Sequence, residues 1–215
     1  MSNRIKIDIV SDVVCPWCIV GYKRLEKAIN ELGLQDSIDI EWQPFQLNPY
    51  VGKDGENLFN HIMKKYGNTR EDNVRMRENL TGFGEELGFA FQFFDEMKTY
   101  NTQDVHQLLD YAKTQNRQHD LAMRLFSAYF TEKQDISNRE VLAAQLKAVG
   151  LDVSEGLAQL DDSSVRERVE KNQSYWRELG VSSVPTIVFN RESAVSGAQP
   201  VEVLTQILSE LHAGR

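Results

Sequence analysis

From Ile5 to Val10 the chain alternates apolar and charged side chains, the period-two pattern of a strand. Beyond Cys15-Pro16-Trp17-Cys18 the period changes. Tyr22, Leu25, Ala28, Ile29 and Leu32 recur at helical spacing, and Gly33 supplies a stop. Alternation returns over 38–47, where Ile38, Ile40 and Trp42 predict a second strand. Pro44 and Pro49 cannot donate ladder hydrogen bonds, so this strand lies at an edge or is near its end there. The opening reads strand, helix, strand, with both cysteines where the helix begins.

From about Glu56 to Gly180 the chain is polar, proline-free and helical in period. The spacing predicts helices over 56–66, 70–87, 102–116, 118–131, 138–149 and 163–179. The expected caps are Thr69, Thr102, Ser137 or Asn138, and Ser163 or Ser164. Five of the ten phenylalanines fall within Gly82–Tyr100, which reads as a packed connection. Strand signals return over Ser183–Phe189, followed by a turn at Asn190–Ser193 and a short strand, Ala194–Ser196. An amphipathic helix, Val201–His212, is opened by Pro200. The pattern therefore predicts an α/β core built from residues 1–50 and 180–215, with helix 163–179 bridging. Residues 51–162 form a helical insertion.

Composition narrows the function. With 24 Lys+Arg against 32 Asp+Glu the 215-residue chain carries a formal charge of −8, which disfavours binding to phosphate backbones or anionic lipid. No stretch approaches the roughly 20 apolar residues of a membrane span. Lys6, Asp8 and Asp12 interrupt the apolar residues before Cys15, unlike a secretory h-region, so the cytoplasm is the expected compartment. Thiols stay reduced there, and two cysteines cannot make a disulfide framework.

Chemistry concentrates in Cys15-x-x-Cys18 at a strand-to-helix junction. The spacing lets the sulfurs meet, and a helix N-terminus favours thiolate at Cys15. Pro16 suits the first helical position, and Cys18, one turn inside, can resolve a mixed disulfide formed at Cys15. A zinc or iron–sulfur centre needs two further ligands, and His61, His106, His119 and His212 show no paired spacing. His106, at helical spacing from Leu109, reads either as an ordinary helix residue or as a site residue. Val184-Pro185-Thr186 precedes the later strand. Such a proline is usually trans, cis accounting for about 5–6% of X–Pro bonds. In a fold of this order, however, that turn falls beside the N-terminus of the first helix.

The phrases SDVVCPWC (Ser11–Cys18), PFQLNP (Pro44–Pro49), YNTQDVH (Tyr100–His106), GVSSVPT (Gly180–Thr186) and VSGAQP (Val195–Pro200) together resemble the DsbA-like thioredoxin family. Within it they are most similar to the cytoplasmic FrnE branch, related to 2-hydroxychromene-2-carboxylate isomerases and kappa-class glutathione transferases. The resemblance implies a thioredoxin fold with an all-helical domain inserted after the second strand. It implies dithiol–disulfide exchange on protein or small-molecule disulfides, with Cys15 as nucleophile, Cys18 as resolving thiol and Val184–Pro185 as a cis-proline loop. Asn48 and the Ser196–Gln199 turn stand where glutathione-using relatives line their site. The expected substrate-facing set is thus Pro16, Trp17, Asn48, His106, Val184, Pro185 and Gln199. No metal or cofactor is required by this chemistry, with glutathione the one candidate thiol cosubstrate. No oligomeric state follows from the pattern. Pro-Trp between the cysteines departs from periplasmic DsbA enzymes, which carry a histidine there. Two other readings stand beside this one: a glutathione-dependent transferase or isomerase of the kappa type, and a peptide-binding, chaperone-like module.

Overall fold

A computed structural model describes residues 4–214. Strand β1 (Ile5–Ser11) leads through a turn into α1 (Pro16–Leu32), and β2 (Ile38–Pro44) returns parallel to β1, Ile7 beside Ile40. Near the end of the chain, β5 (Thr186–Phe189) pairs antiparallel with β1, and β6 (Ser193–Ser196) with β5. The sheet order is β2-β1-β5-β6. Strand periodicity sorts its two faces. Ile5, Ile7 and Ile9 join the core cluster that holds Leu25 and Ala28 of α1 and Leu204 and Leu208 of α9 (Val201–Ala213). Val10 and Val188 point the other way, onto Trp176 of α8 (Ser163–Glu178) and Phe45.

Between β2 and α8 lie α2 (Leu58–Tyr66), α3 (Arg70–Leu87), α4 (Gln103–Thr114), α5 (Gln118–Phe130), α6 (Arg139–Ala148) and α7 (Val153–Gln159). This is a thioredoxin fold with a helical insertion after the second strand. A two-residue ladder, β3 (Glu56–Asn57) with β4 (Lys98–Thr99), pins the start of α2.

Several boundaries differ from expectation. The second strand stops at Pro44, and residues 56–57 are extended rather than helical. The seven-residue α7 was not expected, being too short for its period to register. Thr69 caps α3 in a reciprocal capping box with Asp72. Asn138, rather than Ser137, caps α6, and Asp162 displaces Ser163 and Ser164 at α8. Thr102 occupies the N-cap of α4 as expected, but without a side-chain capping hydrogen bond. Its side chain instead stabilises the Asp12 carboxylate.

Candidate active site

Cys15 occupies the N-cap of α1 in an extended conformation, and Pro16 takes the first helical position, where its missing N–H leaves nothing unpaired. The Cys15 N–H donates to Asp12 O at 3.0 Å and the Cys18 N–H to Cys15 O at 3.1 Å, so the motif turns tightly off the end of β1. Both cysteines are free thiols. Cys18 is fully enclosed and Cys15 is 4% exposed. Burial, and then the neighbouring Cys15, push the Cys18 thiol well above its ordinary range, which keeps its proton in place.

The Val184–Pro185 bond is cis, and Cys15 Sγ lies 3.8 Å from the Val184 carbonyl oxygen. Gly21 makes room for this approach. A Cβ there would sit 3.0 Å from Pro185 Cγ and 3.5 Å from Ala198 Cα. Arg24, one turn on, donates to Ala198 O at 2.6 Å and lies over Phe83 of α3, whose ring meets Trp17 at 5.9 Å. Trp17 is 36% exposed. The helical insertion thus supplies a wall, Phe83, to the dithiol.

It also supplies the end of α2. Lys65 and Tyr66 lie within electrostatic range of Cys15: burial lowers the Lys65 ammonium pKa, opposed by the charges of Asp12 and Cys15, while burial and then Cys15 raise the Tyr66 phenol. Lys65 Nζ donates to Leu47 O (2.8 Å) and Asn48 Oδ1 (2.9 Å). Asn48 Nδ2 donates to Thr99 Oγ1, and Oδ1 also meets His61 Nε2 at 2.9 Å. A lysine only donates, so the contacting Asn48 atom is its carbonyl oxygen and His61 Nε2 carries a hydrogen. A cavity of about 400 Å³ opens here, bordered by Asn48, His61, Lys64 and Lys65.

Behind the motif lies a buried pair. Asp12 accepts from Leu47 N at 2.8 Å, while its other oxygen finds no hydrogen-bond partner among the described residues. His106 Nε2 is 3.8 Å from that oxygen but donates instead to Phe45 O at 3.1 Å. Burial pushes Asp12 up to about 6, against the Leu47 amide, and pushes His106 down to about 4. Around pH 5 both are neutral, so they do not form an ion pair. His106 is buried behind the motif, where its bond to Phe45 O holds the 45–47 loop. Gln199 lies in the turn beside Arg24, but its amide donates to Ser196 O at 2.6 Å and closes that turn. The structure therefore gathers Cys15, Cys18, Trp17, Val184 and Pro185, with Asn48 alongside. Asp12, Lys65, Tyr66 and Phe83 were absent from the sequence expectation, because nothing local to them marks their approach to the cysteines.

A mixed four-stranded sheet, a C-x-x-C at the first helix and a cis-proline turn beside it define a thioredoxin-fold dithiol protein. More particularly, the chain belongs to the DSBA-like thioredoxin domain family, whose model matches residues 6–209, and is a thiol oxidoreductase of that family. It resembles a solved Streptomyces coelicolor protein described as a probable DsbA oxidoreductase, with 31% identity over 99% of this chain and 92% of that one and a TM-score of 0.91. The Bacillus subtilis protein YwbO is 25% identical over 207 residues, 96% of each chain. The cytosolic disulfide reductase DsbM of Pseudomonas aeruginosa, solved with GSH (glutathione), shares the fold at 15% identity, covering 96% of this chain and 99% of that one, TM-score 0.65.

Proposed function

We propose that Cys15 is the attacking thiol and Cys18 the resolving thiol of a FrnE-type dithiol–disulfide oxidoreductase acting in the cytoplasm on protein or small-molecule disulfides. One observation carries this assignment: Cys15 sits at the helix start beside the Val184 carbonyl, while Cys18 is sealed one turn deeper with its proton retained. Cys15 thiolate attacks one substrate sulfur, the substrate S–S bond breaks, and the departing thiolate takes a proton from solvent. Cys18 then loses its proton to solvent and attacks Cys15 Sγ. The second substrate thiol leaves, and two electrons have passed from the dithiol to the substrate. Oxidation of a substrate dithiol is the reverse sequence. Val184, through its backbone, and Trp17 border the path of an incoming extended segment.

The pocket at Asn48 suits glutathione as the thiol that restores the dithiol, because Lys64 and Lys65 offer cations to its carboxylates. The solved DsbM–glutathione pair supports the same reading by analogy of fold.

The test is insulin reduction and partner trapping with single variants. Cys15→Ser is expected to abolish turnover. Cys18→Ala is expected to accumulate mixed disulfides with insulin or glutathione while turnover falls by orders of magnitude. A protein that only positions glutathione would retain chlorodinitrobenzene conjugation without Cys18. Full conjugation by Cys18→Ser, with no insulin reduction by the wild type, would replace this reading with the kappa-type transferase.

A further inference from the structure

A second cleft of about 470 Å³ opens between the N-terminal ends of α4, α6 and α8. That volume lies in the range of small-molecule sites. Its lining includes Lys53, Gln103, Asp104, Arg139, Leu160 and Arg166. It contains no cysteine, and thiol exchange gives it no role.

The charges here are arranged without being satisfied. Asp104, in the first turn of α4, is more than half withdrawn from solvent and makes no hydrogen bond or ion pair among the described residues. Arg139, Arg166 and Lys53 nonetheless all pull on its charge from beyond contact distance. Burial, with a contribution from the Asp161 carboxylate, pushes the Asp104 carboxyl up despite those three cations. An acidic residue early in a helix is favoured by the helix dipole, which explains its sign but not the three cations near it. Beside it, Gln103 is 5% exposed and lines the cleft. Its only side-chain hydrogen bond among the described residues is a long one, 3.5 Å from Nε2 to Gln107 Oε1, and its carbonyl oxygen accepts none.

The cations are partly engaged outward. Arg139 grips Asp161 through both terminal nitrogens (2.9 and 2.6 Å), and Arg166 Nε meets Glu170 at 3.0 Å. Each guanidinium has five N–H donors, so donors remain on both. Lys53 makes no hydrogen bond among the described residues. The cleft is therefore lined by two acceptors adjacent in the chain, Asp104 and Gln103, and by three cations with donors to spare.

We infer that this cleft binds a small zwitterion, a free amino acid or short peptide, with its ammonium on Asp104 and Gln103 and its carboxylate on Arg139, Arg166 and Lys53. A plain anion would meet the Asp104 carboxylate, and a plain cation would meet the arginines. Only a ligand carrying both charges matches both sets of groups. Leu160, which also lines the cleft, accommodates the apolar part of a small side chain.

The test is titration of the full-length protein, followed by amide chemical shifts, with dialanine, N-acetyl-dialanine and dialanine amide. Dialanine is expected to shift residues 51–53, 103–104 and 137–139. Blocking either terminus should weaken binding about ten-fold or more, the worth of one charged hydrogen bond. Asp104→Asn, nearly isosteric, should erase the preference for the free over the acetylated amine. Arg139→Gln should erase the preference for the free carboxylate over the amide. Equal binding of all three ligands, no shifts in these segments with dialanine, or an unchanged amine preference in Asp104→Asn would each overturn the assignment. The three-ligand comparison on wild-type protein stands even if a variant fails to fold.

Discussion

At the scale of single residues, the site depends on what is missing as much as on what is present. Gly21 sits in the middle of α1, where glycine costs roughly 1 kcal/mol against alanine. The fold tolerates that cost because α1 must pass within contact of Pro185 and Ala198. Gly21→Ala places a Cβ 3.0 Å from Pro185 Cγ, so the loop must give by a few tenths of an ångström. Gly21→Val adds two methyl groups and cannot be absorbed that way. Overpacking of this kind costs about 1–3 kcal/mol. The expected outcome is insulin reduction lowered several-fold in Gly21→Ala and almost lost in Gly21→Val, with two titratable thiols per chain in both. A Gly21→Val protein as active as wild type would show that α1 and the Pro185 turn need not touch.

Among the elements, β2 is an edge strand, and an open edge is a liability. Gln118, the first residue of α5, closes part of it. Its Oε1 accepts from Trp42 N at 3.0 Å and its Nε2 donates to Trp42 O at 2.9 Å, standing in for a neighbouring strand. The Trp42 indole donates to His119 Nδ1, and His119 Nε2 meets Tyr22 of α1, so α1, β2 and α5 are joined at one point. Gln118→Ala leaves two backbone groups without these partners and is expected to cost about 1–3 kcal/mol. Urea unfolding should show a lower midpoint at unchanged slope, and an unmoved midpoint would mean that water serves the edge equally well. Links of this kind are what the sequence conceals. Long amphipathic helices such as α1 and α3 declare themselves by their period. The two-residue ladder β3–β4 exists only because the chain folds back on itself, and α7 is shorter than two helical repeats. The same limit holds at the site. The spacing of Cys15 and Cys18 is local and legible, and Pro185 was legible through its place in the order of elements. Lys65, Tyr66 and Phe83 come to the cysteines through the packing of α3 on α1 and of α2 on α3, which no local pattern records.

For the molecule as a whole, the buried pair behind the active site shapes the response to acid. An Asp12 held up at about 6, from 3.8, binds its proton earlier in the native state than in the unfolded chain. Native stability therefore rises as pH falls from about 6 to 4, by about 3 kcal/mol. His106, held down at about 4 from 6.5, does the opposite. The unfolded chain takes that proton first, and about 3 kcal/mol is lost over nearly the same interval. The two slopes offset one another, so neither group alone should be visible in the wild-type profile. Single variants expose them. Asp12→Asn removes the gain, and its stability relative to wild type should fall by about 3 kcal/mol between pH 6.5 and 4. His106→Gln keeps a donor for Phe45 O but removes the loss, and should gain about as much over that interval. Glu41 and His119 also titrate with shifted values, but they are common to every protein compared and cancel in the differences. The measurement is urea unfolding at pH 7, 6, 5 and 4 for the three proteins. Profiles that run parallel would mean that Asp12 and His106 keep the same protonation in both states. Profiles that diverge in opposite directions would show that the dithiol is backed by two opposed buried titrations, which hold the motif steady as the medium acidifies.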